Sequence, residues 1–250
     1  MLADPFFWLV IIPAVTFLGL SKGGFAGIGM ASTPLVALVL PPLKAAAILL
    51  PILLVQDAIS VFVYRRDWSA WNLKVLMPGA VIGVVVAWLL AAHVSEAFVR
   101  LSIGVIGISF SINTWLSRLP QKVARPTAAS GVFWGALSGF TSTFAQVGAP
   151  PFQVHILPQR LDKMTLVGTT TIFFASVNLM KVVPYFSLGQ FSAEGLTLTL
   201  ALLPLAIGTN FLGFWLVRKT PTEVFYRIAH VVVFVISVAL LAQGAYELIS

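Results

Sequence analysis

Residues 6–42 read FFWLVIIPAVTFLGLSKGGFAGIGMASTPLVALVLPP and carry one charge, Lys22, near their middle. A helix crossing a bilayer needs about 20 apolar residues, so this run is far too long for one straight span. It is also dense in helix breakers: Gly19, Gly23, Gly24, Gly27, Gly29 and Pro34. Backbone freed by Gly or Pro at membrane depth persists only where it faces protein or a wet cavity. The run therefore predicts a broken or re-entrant helix. Residues 127–158 repeat the situation, with Gly131, Gly135, Gly139, Gly148, Pro150 and Pro151 in a stretch without Asp, Glu, Lys or Arg.

Working outward, a charge at mid-bilayer costs roughly 2.5–3.5 kcal/mol on insertion scales, so the remaining gaps between charges outline spans. They run over about 45–64, 75–92, 101–116, 164–183, 196–217 and 228–246. The expectation is an all-α polytopic membrane protein of eight hydrophobic segments in one transmembrane domain covering residues 1–250. The chain of 250 residues is 59% hydrophobic and 9% charged, with a mean hydropathy of +0.99. A soluble domain carries about 25% charged residues, so an ordinary water-soluble globule is excluded. With no cysteine, disulfides, zinc-thiolate sites and iron–sulfur clusters are excluded as well. The net charge of +7 sits mostly in short loops, which is membrane topology and no sign of a nucleic-acid partner. Met1-Leu2-Ala3-Asp4-Pro5 has no basic n-region, so the first segment is expected to be retained.

The halves resemble each other. Ser95-Glu96-Ala97-Phe98-Val99-Arg100-Leu101 matches Thr222-Glu223-Val224-Phe225-Tyr226-Arg227-Ile228, Pro78 matches Pro204, and Phe25-Ala26 with Gly29 matches Phe144-Ala145 with Gly148. Three matches in the same order indicate an internal duplication: repeat 1 over about 5–117, a linker over about 118–126, and repeat 2 over about 127–250. If all eight segments crossed fully, Arg65, Arg66, Lys74, Arg118, Lys122 and Arg125 would lie opposite Arg160, Lys163, Arg218, Lys219 and Arg227. That defeats the positive-inside rule. If segments 1 and 5 are hairpins, all eleven face the cytoplasm, the repeats are inverted, and both termini lie outside.

Lys22, followed by glycines that can restart a helix, offers a cation beside bare backbone N–H groups, a way to hold a small anion without water. Ser21, Lys22, Gly23, Gly24, Gly27 and Gly29 are therefore candidate substrate-binding residues; the alternative is a snorkelling Lys22 with glycines serving close packing. In the second repeat Thr141, Ser142, Thr143, Gln146 and Gln153 supply neutral polar groups around the break made by Gly148 and Pro150, although membrane Ser and Thr commonly bond their own helix. Gln56 and Asp57 lie inside the second segment. An intramembrane acid is a functional candidate by default, here for proton coupling or for pairing with Lys22, with a structural ion pair as the alternative. The equivalent stretch of repeat 2 has Thr170 and Asn178 but no acid. Lys181, near the far end of its span, reads as snorkelling to the outer interface, with a vestibule that attracts anions as the alternative. Asn113 and Asn210 read as interhelical hydrogen-bonders, and Trp8, Trp68, Trp71 and Trp115 as interface-belt residues. His93, His155 and His230 are too scattered for a metal site, and no P-loop, HExxH or nucleophile elbow is present. No cofactor is called for.

Ser21-Lys22-Gly23-Gly24-Phe25, Phe140-Thr141-Ser142, Gly148-x-Pro150-Pro151 and the two-repeat layout resemble the TauE/SafE sulfite exporter family. The resemblance implies a secondary transporter of the cytoplasmic membrane that moves a small anion such as sulfite, a sulfonate or a related oxoanion, with export as its direction. The chain departs from the family pattern in carrying Gln146 and Gly148-Ala149 where a His and a Gly-Gly pair are frequent. A passive anion channel, a non-transporting scaffold or receptor, and an intramembrane enzyme are the alternatives. The last needs clustered acids, histidines or a metal, and this chain offers one clear intramembrane acid.

Overall fold

The computed structural model describes residues 5–25, 29, 32–37, 40, 42–90, 95–116, 126–189 and 191–249. Regular structure among them is entirely helical: α1 (Pro5–Lys22), α2 (Ser32–Ala37), α3 (Pro42–Tyr64), α4 (Ala70–Leu90), α5 (Glu96–Leu116), α6 (Ala128–Ala145), α7 (Ala149–Ile156), a 3-10 turn (Leu157–Gln159), α8 (Lys163–Ser187), α9 (Ala193–Lys219) and α10 (Thr222–Ile249). The first apolar run thus holds α1 and α2, and the fifth holds α6 and α7. Pro5–Lys22, Ala45–Tyr64, Ala70–Leu90, Lys163–Ser187 and Ala193–Lys219 are long and apolar enough to cross a membrane. Apolar side chains such as Ile82, Leu89, Phe98, Leu200 and Phe211 face outward, a surface suited to lipid and not to water. The chain is a multi-pass membrane protein.

Local chemistry sets the boundaries that matter. α6 stops where Gln146 takes a left-handed conformation (φ 58°), its N–H bonding back to Ser142 O and Thr141 O. Pro150 and Pro151 fall in the first turn of α7, where the missing N–H leaves no intrahelical bond unmade. Asp162 caps α8 by accepting from the N–H groups of Met164 and Thr165, and Ser192 caps α9 through Gly195 N–H.

The packing has an exchange pattern. α4 packs along α6 and α1 along α9; α3 packs on α9 and α8 on α4; α3 meets α8, and α5 meets α10. Swapping the first five helices for the last five maps this set of contacts onto itself. Directions follow from what touches what. Gly19 abuts Thr209 and Gly23 abuts Gly213, so α1 and α9 run parallel. Gly79 abuts Val132 and Gly83 abuts Ala136, so α4 and α6 run parallel too. α3 and α8 are antiparallel: Gly168 lies against the Tyr64 carbonyl, Asn178 bonds Asp57, and Leu50 clusters with Tyr185. After each interruption the chain doubles back. Ser32 Oγ donates to Ala14 O, Ser138 Oγ donates to Gly148 O, and Ser130 Oγ meets His155 Nδ1.

One end of the bundle collects cations. The α3–α4 turn carries Arg65 and Arg66, the turn before α8 carries Arg160, and α9 ends in Arg218 and Lys219. They are brought together by Lys163, whose Nζ donates to Val217 O and Thr220 O, and by the reciprocal amide pair of Asn72 and Gln159. Arg118, Lys122 and Arg125 of the expected linker lie outside the described residues.

Candidate functional site

The two interruptions face each other across the α3–α8 crossing, and a cavity of about 70 Å³ lies between them. About 10–15 Å³ is the least that admits one water on this measure, so the cavity has room for a small solute. Its wall includes Ser21, Lys22 and Gly29 from the first interruption, Ser142, Gln146 and Ala149 from the second, and Thr170, Thr171 and Asn178 from α8. Leu18, Leu53 and Phe174 supply the apolar remainder.

Lys22 is the last residue of α1. Its Nζ lies 2.5 Å from Asp57 Oδ1, with side-chain exposures of 12% and 4%. Asp57 Oδ2 accepts from Asn178 Nδ2 at 2.6 Å, so both carboxylate oxygens are engaged. This joins α3 to α8 at their crossing: Asn178 follows Asp57 by 121 residues. The same separation relates Lys181 to Ser60 and Tyr185 to Tyr64. The roles correspond as well. Ser60 Oγ donates to Lys22 O, while Lys181 Nζ donates to Ser142 O; Tyr64 OH donates to Gly23 O, while Tyr185 OH donates to Thr143 O. One cation therefore sits at the end of α1 beside α3 and another on α8 beside α6.

Of the residues singled out from sequence, Ser21, Lys22, Gly29, Ser142, Gln146, Thr170 and Asn178 line this cavity, and Asp57 is tied to it through Lys22 and Asn178. Others have structural employment. Gly23 meets Gly213 so closely that a Cβ would fall 2.4 Å from its Cα, and Gly24 turns the chain at φ +132° against Val217. Thr141 and Thr143 donate to Leu137 O and Gly139 O of their own helix. Gly148 precedes α7 and is pressed against Ser138 O, and Pro150 and Gln153 are buried within α7. Gln56 Nε2 donates to Ala206 O and ties α3 to α9. Asn210 bonds Gln56 O and Ser60 Oγ, the interhelical use expected of it. Gly27 lies outside the described residues.

Lys181 overturns the snorkelling reading. It does not snorkel: its relative exposure is 0%, and its Nζ donates to Ser142 O at 3.3 Å, to Ser142 Oγ at 3.2 Å, and to Gln146 Oε1. Hydropathy places Lys181 near a span end but says nothing about which way around α8 it points, and α8 turns it toward α6. A signal that could have found it is the offset of 121 residues to Ser60, whose hydroxyl bonds Lys22 O. His155 is buried, stacked on Trp71 at 6.4 Å between ring centroids and placed far along α7 from the cavity. No cluster of metal-ligating side chains occurs among the described residues.

The arrangement is a small, partly polar chamber with one lysine on its wall, a second directly behind it, and one carboxylate bound to the first. Neither the curated proteins nor the solved structures contain a match to the chain. The model of the sulfite exporter TauE/SafE family matches residues 11–240. A match over nearly the whole chain, together with helices able to cross a membrane, decides the assignment: this protein belongs to the sulfite exporter TauE/SafE family of membrane transporters.

Proposed function

We propose that the chain is a secondary transporter that carries a small sulfur oxoanion, sulfite or a small sulfonate, across the cytoplasmic membrane. The observation carrying this reading is the chamber between the two interruptions, with Lys22 on its wall. Two discontinuous helices meeting around a substrate near the membrane middle, one from each inverted repeat, are the working parts of many such carriers. The antiparallel crossing of α3 and α8 at Asp57 and Asn178 and the exchange pattern of helix contacts support inverted repeats with a pseudo-twofold axis through that crossing. Transport then follows from rocking one repeat against the other around a fixed chamber. Counterflow of labelled sulfite in proteoliposomes tests the reading. Saturable uptake stimulated by sulfite on the opposite side is the expected result, whereas flux without such stimulation would indicate a passive channel.

The cation-rich end is placed in the cytoplasm by the positive-inside rule, which puts both termini outside. Since the chain has no cysteine, single substitutions report sidedness directly. Arg66→Cys is expected to react with a membrane-impermeant maleimide only in inverted vesicles, and Ser187→Cys, at the opposite end of α8, only in right-side-out cells. Labelling of both from one side would refute the orientation.

Asp57 is the group through which coupling is proposed. It is the carboxylate bound to Lys22 of the chamber, the position from which a proton gradient would act on the anion. Export, the direction proposed, then draws on an outward anion gradient. Asp57→Asn is expected to abolish the response of sulfite flux to an imposed pH gradient.

A further inference from the structure

Lys181 presents an unsolved charge balance. A buried ammonium is expensive unless paired, yet among the described residues no carboxylate lies within ion-pair distance of it. Asp57 is occupied by Lys22 and Asn178. The three N–H donors of Lys181 are taken by neutral oxygens, two from Ser142 and one from Gln146. Both of those residues are also wall residues of the chamber. Gln146 is held in place by little else: its Nε2 reaches Ala46 O at 3.4 Å, and its backbone is left-handed at φ 58°, a conformation a non-glycine residue adopts at a cost. Counting formal charges, the chamber and its immediate surroundings hold two lysines and one aspartate.

We propose that Lys181 is the second cation of the anion site and that Gln146 is its displaceable placeholder: the entering anion takes over the position of the Gln146 amide oxygen on the Lys181 ammonium and supplies the counter-charge this lysine lacks. With two lysines against one aspartate, one negative charge neutralises the site. The bound species is therefore a compact monoanion such as hydrogen sulfite or methanesulfonate, and a dianion such as sulfate is disfavoured. The pseudo-twofold frame explains the geometry, because Lys22 and Lys181 approach the chamber from opposite ends of the crossing. This inference rests on the anion-carrier reading above and deepens it.

Three variants of the full chain, purified in detergent and reconstituted, test it against a role for Lys181 as a mere anchor of the second interruption. Lys181→Met keeps the side-chain length and removes the charge. It is expected to raise the half-saturation concentration for sulfite and methanesulfonate counterflow at least about tenfold, and to lose the thermal stabilisation those anions confer, with a melting temperature no lower than wild type in their absence. Gln146→Glu places a built-in carboxylate on Lys181 and is expected to abolish anion-dependent stabilisation while the protein stays folded. Gln146→Ala removes the competitor and is expected to lower the half-saturation concentration severalfold. An anchoring role predicts the reverse pattern: Lys181→Met and Gln146→Ala melt earlier, and Gln146→Glu transports as wild type. Half-saturation of Lys181→Met within twofold of wild type, with wild-type exchange intact, overturns this proposal alone. So does stabilisation by sulfate equal to that by methanesulfonate. Absence of exchange and of stabilisation in the wild type for every anion tried overturns the carrier reading itself.

Discussion

Lys22→Gln is expected to slow sulfite counterflow by at least about tenfold at low sulfite, since a hydrogen bond to a charged group is worth about 1.5–3 kcal/mol and each 1.4 kcal/mol is a factor of ten. The interpretation needs a control, because Lys22 also neutralises Asp57 at 2.5 Å. Removing one member of a buried ion pair leaves the other uncompensated at a cost of about 3–5 kcal/mol, so the single variant is expected to melt early as well. Adding Asp57→Asn converts the pair into two amides that can bond each other, while Asn178, which donates to Asp57 Oδ2 in the native chain, still finds a carbonyl oxygen. The double variant Lys22→Gln/Asp57→Asn should therefore recover most of the stability and none of the flux. Wild-type flux from the double variant would mean that Lys22 serves only to staple α1 to α3, and that the chamber it lines is not a passageway.

Gly83→Ala and Gly135→Ala are each expected to destabilise the fold by about 3 kcal/mol, at the upper end of what overpacking usually costs. α4 and α6 approach so closely that their glycines rest on each other's backbone. A Cβ on Gly83 would lie 2.0 Å from Ala136 O, and one on Gly135 would lie 2.2 Å from Leu76 O. Backbone carbonyls inside two packed helices cannot swing aside as a side-chain tip can, so the helices themselves must separate. In a membrane, van der Waals contact of this kind is a main force between helices, and its loss is not offset by lipid contact. Gly208→Ala is the matched control: it lies in α9, and a Cβ there meets nothing within 4 Å. Melting followed by tryptophan fluorescence, with the monodisperse fraction in detergent as a second readout, should show a large loss for Gly83→Ala and Gly135→Ala and none for Gly208→Ala. Equal melting of all three would contradict the close α4–α6 approach.

Much of this protein is legible before any coordinates. Membrane insertion follows from residue chemistry alone: long uncharged runs prefer lipid wherever they end up in the fold, so the approximate limits of α3, α4, α8 and α9 can be drawn between charges. The ends of α1 at Lys22 and of α6 before Pro150 are equally local, because glycine and proline act on the backbone that carries them. The pairing of Lys22 with Asp57 was foreseeable too, since two opposite charges in one apolar domain gain most by finding each other.

What the sequence could not tell is azimuth, the direction around each helix axis in which a residue points. That is settled by which helix lies alongside, and hydropathy averaged over a span is blind to it. Lys181 read as an interface residue because its depth was known and its facing was not; the packing of α8 beside α6 turns it inward onto Ser142 and Gln146. The same ignorance made Gly23 and Gly24 look like an anion cradle, whereas the approach of α9 uses them for contact with Gly213 and Val217. It also left Thr141, Ser142 and Thr143 equivalent in sequence, while only Ser142 opens on the chamber. Composition determined that this chain is an all-helical membrane protein, because that is a property of residues and their neighbours in the chain. The tertiary structure alone decided which polar groups share a chamber, because that depends on how helices remote in sequence pack against one another.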